Sequence, residues 1–187
     1  MNDSTRLTMR YCCYCGGPVV ERIPAGDSLP RMVCDACDIV HYRNPRVIVG
    51  TLPLWKDQRV LMCKRAIEPR LGFWTIPCGF LENGETTEEG AIRETQEEAH
   101  ANVRITNLHS VYSIPHINQV YLVYRAELLD LNFSAGEESL EVRLYERDEI
   151  NWSEIAFSSV RFALESYYTD LDARTVRTHN GKFIPDY

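Results

Sequence analysis

Residues 79–101 read GFLENGETTEEGAIRETQEEAHA, a glycine-bearing loop that runs into an acidic helix. Thr86 and Glu89 have the spacing of a capping box, which predicts that the helix begins at Thr87. At about 100° per residue, small and apolar side chains gather on one side, and glutamates form an arc beside them. The first group is Ala91, Ile92, Thr95 and Ala99, and the second is Glu94, Glu97 and Glu98. The arc is either a solvated acidic face or a set of carboxylates that bind a divalent cation.

The spacing of the fixed residues decides between these readings. Glu94 and Glu98 lie one turn apart, so their charges repel each other unless a cation lies between them. The full order is Gly79-x5-Glu85-x7-Arg93-Glu94-Thr95-x-Glu97-Glu98, which resembles the signature box of the Nudix hydrolases. The resemblance implies cleavage of a nucleoside diphosphate linked to another group, with Mg2+ or Mn2+ as the cofactor.

The same resemblance implies a role for each matching residue. Glu94 and Glu98 become metal ligands, and Glu97 becomes a ligand or the catalytic base. The carbonyl of Gly79 is a further candidate ligand. An ion pair between Glu85 and Arg93 would hold the loop on the helix.

Three positions depart from the family pattern. Thr95 and Ala101 replace bulky aliphatic residues, which affects packing rather than chemistry. His100 replaces a glycine at the helix end, where a left-handed backbone is expected, and histidine tolerates that conformation better than most residues. No metal-binding position is altered, so the predicted activity is retained.

Two CxxC pairs precede this region and predict a separate zinc unit. Cys12-x2-Cys15 is followed, after eighteen residues, by Cys34-x2-Cys37, the spacing of a four-cysteine zinc ribbon. So short a segment cannot bury a core that folds alone, whereas structural zinc supplies about 10–16 kcal/mol of folding free energy. We therefore predict a zinc ribbon over residues 1–44 and a hydrolase domain over residues 45–187.

The remaining pattern predicts the fold of the larger domain. Strands are expected over residues 47–54, 60–65, 103–112, 120–129 and 140–144, with a helix from Ser158. With the box helix, this order predicts an α/β/α sandwich around a mixed sheet. Glu138 and Glu141 follow a loop that supplies the catalytic base in several Nudix subfamilies, and Glu141 is the first choice. Residues 169–187 are polar and are either a flexible tail or a strand that docks on the partner subunit of a homodimer.

Composition limits where the protein works and what it binds. The net charge of −7 over 187 residues argues against broad nucleic-acid or membrane binding. The chain has no apolar run near 18 residues and starts without a secretory signal, so a cytoplasmic location is expected. Seven cysteines, an odd number, also suit a reducing compartment better than a disulfide framework.

Similarity to a subgroup of the family suggests a substrate. Zinc-ribbon Nudix hydrolases, including plant FAD pyrophosphatases, are similar to the segments FWTIPCGFLENGE, RETQEEA, SAGEESLEVRLY and AFSS. NADH pyrophosphatases have an SQPWPFPxS-like segment after the box, where this chain has SIPHINQVYLV. The resemblance therefore implies cleavage of FAD to FMN and AMP, with NADH or ADP-ribose as the alternative substrate. The alternative from another class is a nucleic-acid-binding regulator with an inactive Nudix domain.

Overall fold

A computed structural model of the protein describes residues 9–183 and divides the chain into two compact units. The boundary between the units lies between Pro45 and Arg46. Within residues 9–183, no helix is long and apolar enough to cross a membrane.

The first unit is a small antiparallel sheet with little apolar interior. Its strands are β1 (Val19–Arg22), β2 (Arg31–Cys34) and β3 (Val40–His41), in the order β1-β2-β3. Large side chains of this unit are mostly exposed, and they include Tyr11, Tyr14 and Tyr42. A unit with so small a core needs another source of folding free energy.

The second unit contains a long mixed sheet and two helices. Six strands follow the order β10-β5-β4-β9-β8-β11, while β6 pairs with β5 and β7 pairs with β4. The pairs β4–β9 and β11–β8 are parallel, and the other pairs are antiparallel. The strands are β4 (Arg46–Leu54), β5 (Val60–Arg65), β6 (Trp74–Thr75), β7 (Cys78–Phe80), β8 (Val103–Ile114), β9 (Gln119–Leu128), β10 (Ser139–Tyr145) and β11 (His179–Lys182). The helices are α1 (Thr87–Ala99) and α2 (Ser158–Asp172), and short 3₁₀ turns cover Pro115–Ile117, Arg147–Glu149 and Trp152–Glu154.

The two helices cover opposite faces of this sheet. Alternate residues of a strand face opposite sides, and on β4 Val49 packs with Ala91 of α1, whereas Leu52 packs with Leu164 of α2. The predicted α/β/α sandwich with a mixed sheet is therefore confirmed.

Both ends of α1 lie where the sequence predicts them, but its buried face is narrower than predicted. The helix begins at Thr87 behind a complete capping box, and His100 ends it in the left-handed conformation with φ 46°. Ile92 was expected on the buried side, but it is 39% exposed. The face in contact with the sheet is narrower than predicted because small residues, Ala91 and Thr95, bring the helix close to it.

The C-terminal region is more ordered than a flexible tail. Helix α2 continues to Asp172, and β11 then pairs in parallel with β8 of the same chain, His179 opposite Ser110. Residues 179–182 are therefore a strand of this chain's own sheet. Residues 184–187 lie outside the described part of the chain.

A buried polar network joins this strand to α2 and the sheet. Arg125 forms an ion pair with Asp170, and its Nε donates to Nδ1 of His109 at 3.1 Å. Nε2 of His109 donates to the carbonyl of Ala163 at 2.8 Å, and burial lowers the pKa of His109 to about 4. Asp170 also lies 3.0 Å from Nε2 of His179 on β11. The network therefore links β8, β9, α2 and β11 through groups that are mostly buried.

Candidate functional site

Helix α1 presents two nearly buried carboxylates toward the sheet. Glu94 is 9% exposed and Glu98 is 7% exposed. They are brought there by a close helix–strand contact, in which the hydroxyls of Thr95 and Thr51 are 2.6 Å apart. Thr95 also donates to the carbonyl of Ala91 at 2.7 Å, so its hydroxyl is satisfied inside the contact. The threonine at this family position thus makes a polar contact with β4.

Burial raises the pKa of both carboxyl groups, even though an arginine lies beside Glu94. Burial raises the pKa of Glu98 to about 8, and the charges of Glu94 and Glu138 add to the rise. The main-chain N–H of Cys78 donates to Glu98 Oε2 at 3.2 Å, which offsets only part of it. Burial also raises the pKa of Glu94, although Nη1 of Arg93 lies 2.7 Å from Glu94 Oε1. A divalent cation would stabilise the charged forms of both groups, so this donor set fits Mg2+ or Mn2+.

Gly79 lies against the Glu94 carboxylate. A Cβ atom at Gly79 would be 2.3–2.4 Å from the carboxylate atoms of Glu94. Gly79 belongs to β7, where it pairs with Val49 of β4, so its backbone position is fixed by the sheet. Only glycine lets the backbone of β7 approach the carboxylate this closely.

Arg93 clamps the loop of the box onto α1. Its Nε lies 3.0 Å from Glu85 Oε2 and its Nη2 lies 2.8 Å from Glu85 Oε1, a two-point contact. Nη2 also donates to the carbonyl of Phe80 at 3.0 Å, and Nη1 lies 3.0 Å from Glu97 Oε2. The hydrogen bonds from Arg93 lower the pKa of Glu85 to about 2. The structure therefore brings together all the box residues singled out in the sequence.

The two loop glutamates lie in different places. The loop packs on the end of α1, where the N–H of Gly136 donates to the carbonyl of Glu98 at 3.0 Å. Glu138 follows directly, and its charge raises the pKa of both Glu94 and Glu98, after the larger effect of burial. Glu141 pairs with Lys64 and shares its face of β10 with Tyr145. The structure thus favours Glu138 over Glu141 as a neighbour of the box carboxylates.

An exposed aromatic ring follows Gly79 in the chain. Phe80 is 46% exposed, and the guanidinium of Arg46 lies 4.9 Å from its ring centroid. Neither residue is among the site residues predicted from the sequence. An aromatic residue directly after the first glycine of the box was the feature that could have indicated Phe80.

The four predicted zinc ligands form a tight cluster in the first unit. Their sulfur atoms all lie within 4.8 Å of one another, with separations of 3.5 Å (Cys15–Cys34 and Cys15–Cys37) and 3.7 Å (Cys12–Cys37). Zinc–sulfur bonds of about 2.3 Å in a tetrahedron place the sulfurs ~3.8 Å apart, so the cluster fits one zinc ion.

Two further residues with ligand-type side chains lie beside the cluster. Nε2 of His41 lies 3.3 Å from Cys12 Sγ, and Nδ1 lies 3.7 Å from Cys13 Sγ. His41 can therefore support a ligand through a hydrogen bond, as residues around a metal commonly do. Cys13 is exposed and is not part of the four-sulfur cluster.

Comparisons with known proteins agree with this arrangement. A NUDIX domain model matches residues 44–163, and a model for the Nudix N-terminal zinc ribbon matches residues 10–43. The chain is 28% identical over 148 residues to an ADP-ribose pyrophosphatase of Methanocaldococcus jannaschii, covering 74% of this chain and 86% of that protein. It is 34% identical over 108 residues to the NAD-capped RNA hydrolase NudC of Photorhabdus laumondii, covering 57% of this chain but only 38% of that protein.

Solved structures include a close match over nearly the whole chain. The crystal structure of a NUDIX hydrolase from Nitrosomonas europaea has 51% identity and a TM-score of 0.89, and the match covers 94% of this chain and 99% of that one. The geometry of the box, the sulfur cluster and these matches lead to one conclusion. This chain belongs to the Nudix hydrolase family and carries the zinc-ribbon segment of that family ahead of the hydrolase domain.

Proposed function

We propose that the enzyme hydrolyses the diphosphate bond of a nucleoside diphosphate-linked compound with Mg2+ or Mn2+. One observation carries the proposal, namely the buried pair of Glu94 and Glu98: burial raises the pKa of both carboxyl groups, and Glu94 lies against the backbone of Gly79. FAD, cleaved to FMN and AMP, is the first substrate to test. ADP-ribose and NADH are the alternative substrates. One relative is an ADP-ribose pyrophosphatase and another is an NAD-capped RNA hydrolase, so both compounds should be tested.

The residues of the box would divide the work. Glu94, Glu98 and the carbonyl of Gly79 would hold the cation, with Glu97 as a further ligand or the base. When bound, the cation neutralises charge on the diphosphate and makes a water molecule more acidic. Arg93 holds Glu94 and Glu97 in place through its contact with Glu85.

A glutamate would take the proton of the attacking water, a contribution of about 10²–10⁴ in rate. A new bond forms between the water oxygen and one phosphorus, and the bridging oxygen leaves with the other phosphate. Glu97 and Glu141 are the sequence-based candidates for this base, and the position of Glu138 beside the box carboxylates adds it to them. Gln variants of the three residues, compared by kcat, would identify the base.

The exposed ring of Phe80, next to Gly79 in the chain, can accept the flat part of a nucleotide. The guanidinium of Arg46 lies over this ring, 4.9 Å from its centroid, and adds a positive charge to the stacking surface. Stacking of this kind tolerates different bases, so it supports a nucleotide substrate without selecting one.

The zinc unit is assigned a structural role. We propose that residues 1–44 form a zinc ribbon and residues 45–187 the catalytic domain, in a cytoplasmic enzyme. Four thiolates fill a tetrahedral site and leave no position for substrate.

The test is a substrate panel with Mg2+, read by chromatography of the products. FAD should give FMN and AMP with a larger kcat/KM than NADH or ADP-ribose. Glu94→Gln should lose activity, while Glu88→Gln, the same change at an exposed position of α1, should retain it. If NADH exceeds FAD by about tenfold, an effect of about 1.4 kcal/mol, the FAD assignment is wrong. If none of FAD, NADH and ADP-ribose is cleaved, the proposal of hydrolysis fails and the inactive regulator becomes the better hypothesis.

A further inference from the structure

Helix α2 begins without a cap. Its N-cap residue, Phe157, has no side-chain oxygen, and no side chain caps the helix. The first intrahelical bond runs from Arg161 N–H to the carbonyl of Phe157 at 3.0 Å. Within residues 9–183, the N–H groups of Ser158, Ser159 and Val160 have no acceptor. The helix therefore presents free donors and the positive end of its dipole.

A buried hydroxyl in the same turn also lacks a partner. Ser159 is 1% exposed, and its Oγ contacts no hydrogen-bond partner. Side-chain bonds on a helix tilt toward its N-terminus, so this hydroxyl belongs to the uncapped end. A buried hydroxyl without a partner costs free energy, and an acceptor that arrives with a ligand would remove that cost.

Arg65 is the cation next to this helix end. Its guanidinium lies 5.0 Å from the ring centroid of Phe157, and its Nε donates to the carbonyl of Pro69 at 2.9 Å. In the described part of the chain, no carboxylate lies within ion-pair distance of Arg65. Its positive charge nevertheless acts on Glu98, where it opposes the effect of burial on the pKa. Arg65 thus contacts the residue before α2 and lies close enough to the box for its charge to act on Glu98.

Strand contacts hold this arrangement in place. Arg65 is the last residue of β5, and the neighbouring Lys64 pairs with Trp74 of β6. The carbonyl of Trp74 accepts from the N–H of Ala156 at 2.8 Å, just before α2 begins. Sites built on strands and helix ends hold ligand groups more firmly than sites on loops.

We propose that Arg65, the free N–H groups of the first turn of α2 and the Ser159 hydroxyl bind a phosphate group of the substrate. This inference rests on the proposed function, because it assigns a place to the phosphate that the cation does not hold. Acidic residues surround the cation site, so a diphosphate needs other donors for its remaining charge. A guanidinium and the N-terminus of a helix are both established partners of phosphate oxygens. Arg65 would therefore favour substrates that carry a second phosphate group.

The test compares AMP with adenosine, which differ only in the phosphate group. Binding of each is measured by calorimetry, with and without Mg2+, on the full-length wild type, Arg65→Ala, Arg65→Lys and Ser159→Ala. Arg104→Ala is the matched control, since Arg104 is an exposed arginine paired with Glu127. Arg65→Ala should weaken AMP binding by at least about tenfold, the loss expected for a hydrogen bond to a charged group. Adenosine binding should not change, and Arg65→Lys should restore part of the AMP affinity.

Ser159→Ala separates a ligand contact from a packing role. It should weaken AMP binding by a few-fold while thermal stability stays equal or rises, because a buried unpaired hydroxyl is removed. The proposal is overturned if the wild type binds AMP no tighter than adenosine. It is also overturned if both variants leave AMP binding unchanged, or if AMP and adenosine lose affinity equally.

The two proposals can fail independently. AMP binding that depends on Arg65, in a protein that cleaves no dinucleotide, would refute the proposed hydrolysis and retain the phosphate site. Substrate turnover with AMP binding unaffected by Arg65→Ala would support the proposed hydrolysis and refute the phosphate site.

Discussion

Glu98→Gln tests the cation site through stability as well as activity. The substitution keeps the size of the side chain, and its amide oxygen can still accept from the N–H of Cys78. Burial raises the pKa of Glu98 from 4.5 to about 8. Between these pH values, the folded state without a cation holds a proton that the unfolded state has released. The free energy of unfolding of the wild type must therefore fall as the pH rises from 4.5 to 8.

The size of this fall follows from the pKa of Glu98. One pKa unit corresponds to about 1.4 kcal/mol, so the full fall is about 5 kcal/mol, of which about 3 kcal/mol is already present at pH 7. Glutamine does not titrate and avoids this cost. Without divalent cation, Glu98→Gln should thus be more stable than the wild type by about 3 kcal/mol at pH 7. With Mg2+ the difference in free energy of unfolding should shrink or change sign, because the cation stabilises the wild-type carboxylate.

The assay is urea unfolding at pH 5, 7 and 9, with and without Mg2+, alongside turnover of the best substrate. Glu98→Gln should lose at least about 10² in activity, the upper range for weakened metal binding. Glu88→Gln, exposed on the same helix, should change the free energy of unfolding by less than about 1 kcal/mol at any pH. If the difference between Glu98→Gln and the wild type is the same at pH 5 and pH 9, Glu98 is not a buried, cation-free carboxylate. An active Glu98→Gln enzyme would refute its role as a metal ligand.

The other predictions concern the two metals, the glycine of the box and the C-terminal network. Mild chelation should abolish turnover and added Mg2+ should restore it, while about one zinc per chain remains bound. Cys34→Ser should lower the zinc content. Recovery of turnover with Zn2+ alone would contradict separate roles for a catalytic Mg2+ and a structural zinc. Gly79→Ala should reduce kcat by about 10² because its Cβ displaces the Glu94 carboxylate, whereas the melting temperature should change little; unchanged kcat would show that this contact is not needed. Asp170→Asn should destabilise the fold by about 3–5 kcal/mol in urea unfolding, since a buried charge loses its partner, and equal effects of Asp170→Asn and the exposed Asp172→Asn would exclude such a cost.

Local features could be predicted from the sequence because they depend on neighbouring residues. The capping box at Thr86 and the left-handed His100 are decided within one helix turn, and both were found. The exposure of Ile92 was missed because it depends on how closely α1 approaches β4. A strand within residues 169–187 was one of two expectations, but its pairing with β8 was missed, because HNGK has little strand propensity and the edge of β8 supplies its partner.

One extra residue in β10 changes which of the loop glutamates lies near the box carboxylates. The register between β10 and β5 shifts between Ser139 and Glu141. Such a shift turns the following side chains to the other face of a sheet, and alternation alone cannot reveal it. The contact of Arg65 with Phe157 could not be predicted from the sequence either, since it depends on where α2 begins relative to β5.

The parallel pair β4–β9 has a consequence for the order of folding. Arg46 pairs with Gln119, which is 73 residues later in the chain (119 − 46), and the whole Nudix box lies between them. Pairing over such a distance has a high entropic cost and slows folding relative to local contacts. Helix α1 can form early from its own capping box, whereas the central sheet is completed only when β9 pairs with β4. Closure of this sheet is therefore expected to be a slow step of folding.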